Sequence, residues 1–253
     1  MGVVSFSIFK GGTGKTTTVV CTAAALAAEG KRVLLVDLDQ QASATRYLDL
    51  DPAASPNLYD LYTGAAAAGS AIRRTDCGID VLAAHVLLAA IEQALEPGEE
   101  RALRDFLRPM RPAYDFILID TPPGKAMLTC SGLLAADLIV VPASAERMAL
   151  DGIADLLGHV RQILWRKFDV PRQEMRILFT MYRIATLHSR AVVAEAQATW
   201  PDLVLPMRIP HSTMFPSSYE EKRPAPIFDP RHLGSMAYQV FADWLVEHEA
   251  TTN

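Results

Sequence analysis

The sequence predicts an α/β fold of three layers, with a mainly parallel sheet carrying helices on both faces. Three observations predict it. Continuous apolar runs of strand length alternate with helix-like segments, and strands buried on both faces read as such runs. Two of the runs, "RVLLVDLD" and "YDFILID", end in carboxylates, as strands do when their carboxyl ends meet at a ligand crevice. Half of the 253 residues are apolar and 21% are charged, enough to bury a sizeable core.

The elements follow in order. "VVSFSI" (3–8) predicts the first strand, followed by a Gly-rich loop and an Ala-rich helix over about 15–29. Strands are then predicted at 32–39, 79–84 (short and weak), 114–120, 137–144 and 175–182, with 203–209 as the last. "GAAAAGS" (64–70) reads as a local loop or frayed helix. Residues 210–230 are Pro-rich and aperiodic and read as a long surface loop of the functional kind. A final helix is predicted over about 231–248. Without a linker or a repeat of 20–50 residues, the expectation is one domain spanning 1–253.

The formal net charge of −5 argues against a protein coated in nucleic acid. The charge is regional, however: residues 161–232 hold 11 Lys/Arg against 7 Asp/Glu, and the rest hold 13 against 22. That excess is either a solvated surface or a polyanion-binding face. Three cysteines without CxxC spacing suggest neither disulfides nor zinc and suit a reducing cytoplasm. The start has no basic n-region or cleavage site, so no signal peptide is expected. The longest apolar runs break too early to span a bilayer.

"FKGGTGKTT" (9–17) fits the phosphate-loop pattern GxxxxGK[ST], with Phe9 where the first glycine normally stands. A strand precedes it and a helix follows. In such a loop, formed here by Gly11, Gly12, Thr13 and Gly14, backbone N–H groups point at phosphates. Lys15 would reach the β- and γ-phosphates, and the Thr16 hydroxyl would ligate Mg²⁺. Asp120, at the end of its apolar strand, stands where a Walker B aspartate holds the magnesium through a water. Asp37 and Asp39 end another strand. Asp39 suits positioning of an attacking water, and it equally suits the N-cap of the helix in "QASATRYL". Lys10 has no necessary task within one chain.

"KGGTGKTTT" is the deviant form of this loop and resembles the ParA/Soj/MinD ATPases. The similarity runs nearly end to end, through "AAALAAEGKRVLLVDLDQQASAT", "NLYDLYTG", "YDFILIDTPPG", "ADLIVVPASAERMALDGI", "YRIATLHSRAVV" and the C-terminal "RPAPIFDPRHLGSMAYQVFADWL". The resemblance implies a P-loop NTPase fold of the deviant Walker A type and weak intrinsic hydrolysis of ATP with Mg²⁺. It further implies a face-to-face homodimer when ATP is bound. Lys10 would then cross the interface to the partner's phosphates, as an arginine finger does in trans, and Gly11 would stay small beneath that interface. Lys10, Lys15, Thr16, Asp39 and Asp120 match the functional positions, with Thr16, Asp39 and Asp120 as the metal set. Thr17 would touch the α-phosphate, Pro210 would pack on the adenine, and Met181 and Tyr182 would lie near the same base.

Four departures from the pattern stand out. Gln40 replaces a proline in "DQQ", Lys125 enters "PPGKA", His211 and Met214 stand where arginines often stand, and Arg183 replaces an acid. Nonspecific DNA binding by the dimer would use Lys/Arg contacts to phosphates. Its candidates are Arg161, Arg166 and Lys167 in the dense "RQILWRKFDVPR", with Arg183, Arg190, Arg208, Lys222 and Arg223 elsewhere. Without a preceding helix-turn-helix segment, operator-specific binding is not expected. The family's role would be to distribute a cargo over the nucleoid in the cytoplasm. The cargo would be a plasmid or chromosome partition complex, a chemotaxis cluster or a carboxysome-like compartment. A ParB-like or other adaptor would stimulate hydrolysis. Two alternatives stand beside it. A MinD-like membrane-associated ATPase needs a basic amphipathic C-terminal helix, whereas "FADWLVEHEATTN" is acidic. A metabolic enzyme, either a nitrogenase-iron-protein relative or an amidoligase, is the other. An iron–sulfur cluster would need cysteines in strand-end loops, and Cys21 and Cys130 read as helix core.

Overall fold

The computed structural model describes residues 2–96, 98–168 and 173–252. Among them, eight strands form one sheet in the order β3-β4-β2-β5-β1-β6-β7-β8. In chain order the strands are β1 (Gly2–Phe6), β2 (Val33–Asp37), β3 (Ile72–Arg74), β4 (Asp80–Leu82), β5 (Phe116–Asp120), β6 (Leu138–Ser144), β7 (Glu174–Tyr182) and β8 (Val204–Pro210). Every neighbouring pair is parallel except β3–β4 at one edge.

The apolar runs sort themselves by strand pleat onto the two faces. Val4 and Phe6 of β1 and Phe116 and Leu118 of β5 face the helices Lys15–Ala28 and Leu233–Thr252. Val3 of β1 and Ile117 and Ile119 of β5 join a second cluster with Leu58, Leu103 and Leu128 on the opposite face. There Ile139, Val141 and Ile177 pack on the helices Arg147–His159 and Leu187–Thr199. Both faces are therefore covered, which is why the strands lack alternation.

The expected strands all form, with bounds shifted by a few residues. β3 was not expected: it is three residues long and two of them are arginines, so no apolar run marks it. The expected long surface loop over 210–230 is a correction. It holds two helices, Met214–Glu220 and Ala225–Phe228, and it is anchored by Phe215, whose ring meets Tyr238 edge-on at 5.7 Å. "GAAAAGS" runs into a 3₁₀ turn at Ala68–Ala71, and the last helix is longer than expected, Leu233–Thr252.

The helix Met127–Ala135 sits tight on the strand ends that build the site. A Cβ added at Gly132 would lie 2.7 Å from Thr121 Cγ2 and 3.0 Å from Leu38 Cδ1. Overpacking of this kind costs about 1–3 kcal/mol. Gly132→Ala should lower the midpoint of thermal unfolding by several degrees, measured by circular dichroism; an unchanged midpoint would show that the helix can slide. The start of the same helix is held from afar, because Glu92 accepts hydrogen bonds from the N–H groups of Met127 and Leu128.

Candidate functional site

The sheet's strand order brings the carboxyl ends of β1, β2 and β5 together. Phe6 and Asp37 both lie in register with Asp120. Beyond β1 the chain turns through residues 9–14 and enters the helix Lys15–Ala28. Gly12 (φ 75°) and Gly14 (φ 78°) take the left-handed backbone that makes this turn. Gly14 caps the helix and has no side chain, so the first-turn N–H groups of Lys15, Thr16 and Thr17 have no side-chain cap. Phe9, in place of the usual first glycine, is a packing residue. Its ring meets His159 edge-on at 5.3 Å, Lys125 Nζ lies 5.4 Å over it, and its carbonyl accepts the Gly124 N–H.

Asp120 is the hub. Lys15 Nζ lies 2.5 Å from its Oδ1, and Thr16 Oγ1 donates to Oδ2 at 2.8 Å. Lys15 is 9% exposed and Asp120 fully buried, so the pair is shielded from water. Burial, and then the charge of Asp120, push the Asp37 carboxyl up to about 7, against two hydrogen bonds from Thr45. Asp37 thus anchors the short helix Ser43–Tyr47. Burial also raises Asp39, opposed by the Gln41 N–H and the charge of Lys15. The N-cap of that short helix is Ala42, so the N-cap alternative for Asp39 does not hold. Asp39 instead lines the cavity beside the loop, with Oδ1 accepting the Gln41 N–H at 2.9 Å.

Residues 10–17, Asp39, Ser43, Tyr47, Pro123 and Tyr219 line a cavity of about 290 Å³. Thr13 Oγ1 is buried there without a partner, while the Thr13 carbonyl accepts from Thr180 Oγ1 at 2.7 Å. A second cavity of about 370 Å³ shares Gly14, Thr17 and Tyr219 with the first. Met181 and Pro210 line it, together with Phe215, Tyr238 and residues of the Met214–Glu220 helix. Met181 takes φ 51°, a conformation rare for a long side chain. Tyr182 is not among its lining residues and instead lies under the guanidinium of Arg208. Sequence reading did not single out Tyr47, Tyr219, Phe215 or Tyr238, because no motif marks them.

Lys10 lines the first cavity and is half-buried, with no hydrogen bond or ion pair among the described residues. A Cβ added at Gly11 would meet nothing within 4 Å. Lys125 pairs with Asp155 at 2.6 Å. The basic candidates divide. Lys167 and Lys222 are paired with Glu100 and Asp49, and Arg223 reaches the Ile227 carbonyl. Arg161, Arg166, Arg183 and Arg190 are exposed and without an ion pair among the described residues; Arg183 hydrogen-bonds His211. Residues 169–172 of the dense basic segment lie outside the described residues. Cys21 and Cys130 are buried within helices, and no group of described residues could hold a metal through His, Cys, Asp and Glu alone.

Comparison with known proteins agrees with this geometry. Residues 1–170 match the family model described as an AAA domain. The chain is 33% identical to the sporulation initiation inhibitor protein Soj of Bacillus subtilis, over 93% of this chain and 94% of Soj. It is 32% identical to the chromosome partitioning protein ParA of Caulobacter vibrioides, over 98% of this chain and 94% of that one. Among solved structures it is similar to a cobyrinic acid a,c-diamide synthase from Mycobacterium smegmatis with bound ATP analogue and magnesium. That match has a TM-score of 0.85 and 32% identity, covering 100% of this chain and 97% of that one. A phosphate loop with Lys10 before it, carboxylates at two adjacent strand ends and relatives aligned almost end to end lead to one conclusion: the chain belongs to the ParA/Soj/MinD family of P-loop ATPases.

Proposed function

We propose that this protein is a ParA-like positioning ATPase. A single domain binds ATP with Mg²⁺, forms a homodimer in the ATP state, holds DNA nonspecifically, and releases it when an adaptor stimulates hydrolysis. The observation that carries the reading is the Lys15–Asp120–Thr16 cluster, whose Lys15 and Thr16 line a cavity that shares Gly14, Thr17 and Tyr219 with a second, more apolar one. The first cavity suits a triphosphate: it offers uncapped N–H groups, two lysines and an unpartnered Thr13 hydroxyl. The second suits a flat base, between Met181, Pro210 and Phe215.

The residues divide the work. Lys15 releases Asp120 to take its place on phosphate, which frees Asp120 and the Thr16 hydroxyl for a cation. Magnesium, when bound, neutralises charge on the phosphate oxygens. Asp39 accepts a proton from, and orients, the water that attacks. Lys10 of each protomer supplies the last positive charge to the other protomer's phosphates, so hydrolysis waits for the dimer and is slow until the adaptor acts.

DNA contact falls to Arg161, Arg166, Arg183 and Arg190, four exposed candidates without an ion pair among the described residues; Arg208 and Arg223 also lack one but turn to the Tyr182 ring and the Ile227 carbonyl. The test pairs a DNA shift with phosphate release, in ATP, in ADP and without nucleotide. The expected result is binding only with ATP, weakening steeply between 50 and 200 mM salt, by roughly 10³-fold or more for about six phosphate contacts. Liposome binding without DNA binding would replace this reading with the membrane-associated one. Phosphate release that requires an added carboxylate acceptor would replace it with the amide-forming one that the mycobacterial relative raises. No described helix is long and apolar enough to cross a membrane.

A further inference from the structure

The short helix after Asp39 and the helix that walls the base cavity meet along a continuous seam. Tyr47, the last residue of Ser43–Tyr47, is 1% exposed, and its hydroxyl shares a hydrogen bond with Ser218 Oγ. Its ring meets that of Tyr219 at 5.2 Å between centroids. Two residues on, Asp49 pairs with Lys222 at 2.6 Å. Asp49 (φ 56°) and Lys222 (φ 51°) both take left-handed backbone, which non-glycine residues adopt mainly where their surroundings fix it. Three contacts therefore join residues 47–49 to residues 218–222.

Tyr47 and Tyr219 both line the first cavity, and the Tyr219 side alone reaches the second. Tyr219 and Glu220 line the base cavity, and no residue from 43 to 50 does. The short helix is fixed at its other end to β2, since Thr45 donates twice to Asp37, and the Asp39 carbonyl accepts the Ala42 N–H just before it. We propose that Tyr47 is a positioning residue, through which occupancy of the base cavity sets the segment that carries Asp39. The nucleotide's base is thereby read at the hydrolytic carboxylate as well as at its own cavity. This inference rests on the reading of the second cavity as a base site.

The test is amide hydrogen exchange on the full chain with adenosine, which carries a base and no phosphate. In the wild type, adenosine should slow exchange in residues 211–221 and also in 43–50, none of which lines the base cavity. Tyr47→Phe keeps the ring and removes the hydroxyl; Ser218 Oγ retains its bond to the Phe215 carbonyl. In that variant 211–221 should still be slowed, while slowing of 43–50 should fall about fivefold, the worth of one hydrogen bond. Its kcat for ATP should fall by a similar factor with KM little changed. Lys222→Ala, which lines neither cavity, should weaken the same response. Protection of 211–221 without 43–50 in the wild type, or full protection of 43–50 in both variants, would overturn the seam alone. No protection of 211–221 would overturn the base-site reading and the seam with it.

Discussion

Lys15→Ala should abolish nucleotide binding, and hydrolysis with it. Lys15 is the only cation within reach of the buried Asp120 among the described residues. It therefore has two tasks, balancing Asp120 without ligand and meeting phosphate when ligand arrives. Breaking a buried pair by removing one partner costs about 3–5 kcal/mol, because the remaining charge is uncompensated. The variant should thus lose thermal stability as well as affinity, and the two effects must be separated. Adding Asp120→Asn should restore much of the stability without restoring binding. Calorimetric titration with ATP and magnesium, alongside thermal unfolding, measures both. Retained binding in a folded Lys15→Ala protein would remove the phosphate assignment of this cavity.

Lys10→Ala should behave in the opposite way. Lys10 has no partner among the described residues, so its loss should change stability by no more than about 0.5 kcal/mol and leave nucleotide binding largely intact. Hydrolysis should fall by about 10³-fold or more, the scale of a cation supplied in trans. Gly11→Val offers an independent check. Its φ is not among the positive ones and a Cβ there meets nothing within the chain, so one protomer accepts the larger residue. A second protomer would not, and ATP-dependent dimerisation, read by light scattering, should be lost. If Lys10→Ala hydrolyses ATP at the normal rate, the role across an interface is wrong.

Much of this site was legible because its parts are local. The loop and its helix are contiguous in sequence, and Asp37 and Asp120 each close an apolar run. The pleat and the parallel register of β2 and β5 then place those two carboxylates side by side. What was not legible depends on contacts between distant segments. The helix Met214–Glu220 carries Pro216 and little apolar periodicity, and it holds because Phe215 and Ser218 find Tyr238 and Tyr47. Glu92 caps a helix 35 residues away, a pairing that no local pattern encodes. The edge strand β3 exists by antiparallel pairing with β4, with only Ile72 as an apolar anchor.

Phe9 carries a further consequence. A glycine at the loop's first position would leave the unliganded chain many more backbone states to lose. An aromatic ring fixed between His159 and Lys125, with its carbonyl held by Gly124, narrows those states before any ligand arrives. The anion cradle is preorganised by folding itself, so less of the association free energy is consumed in ordering it. Exchange of one nucleotide for another can then proceed on a template that keeps its shape between occupants.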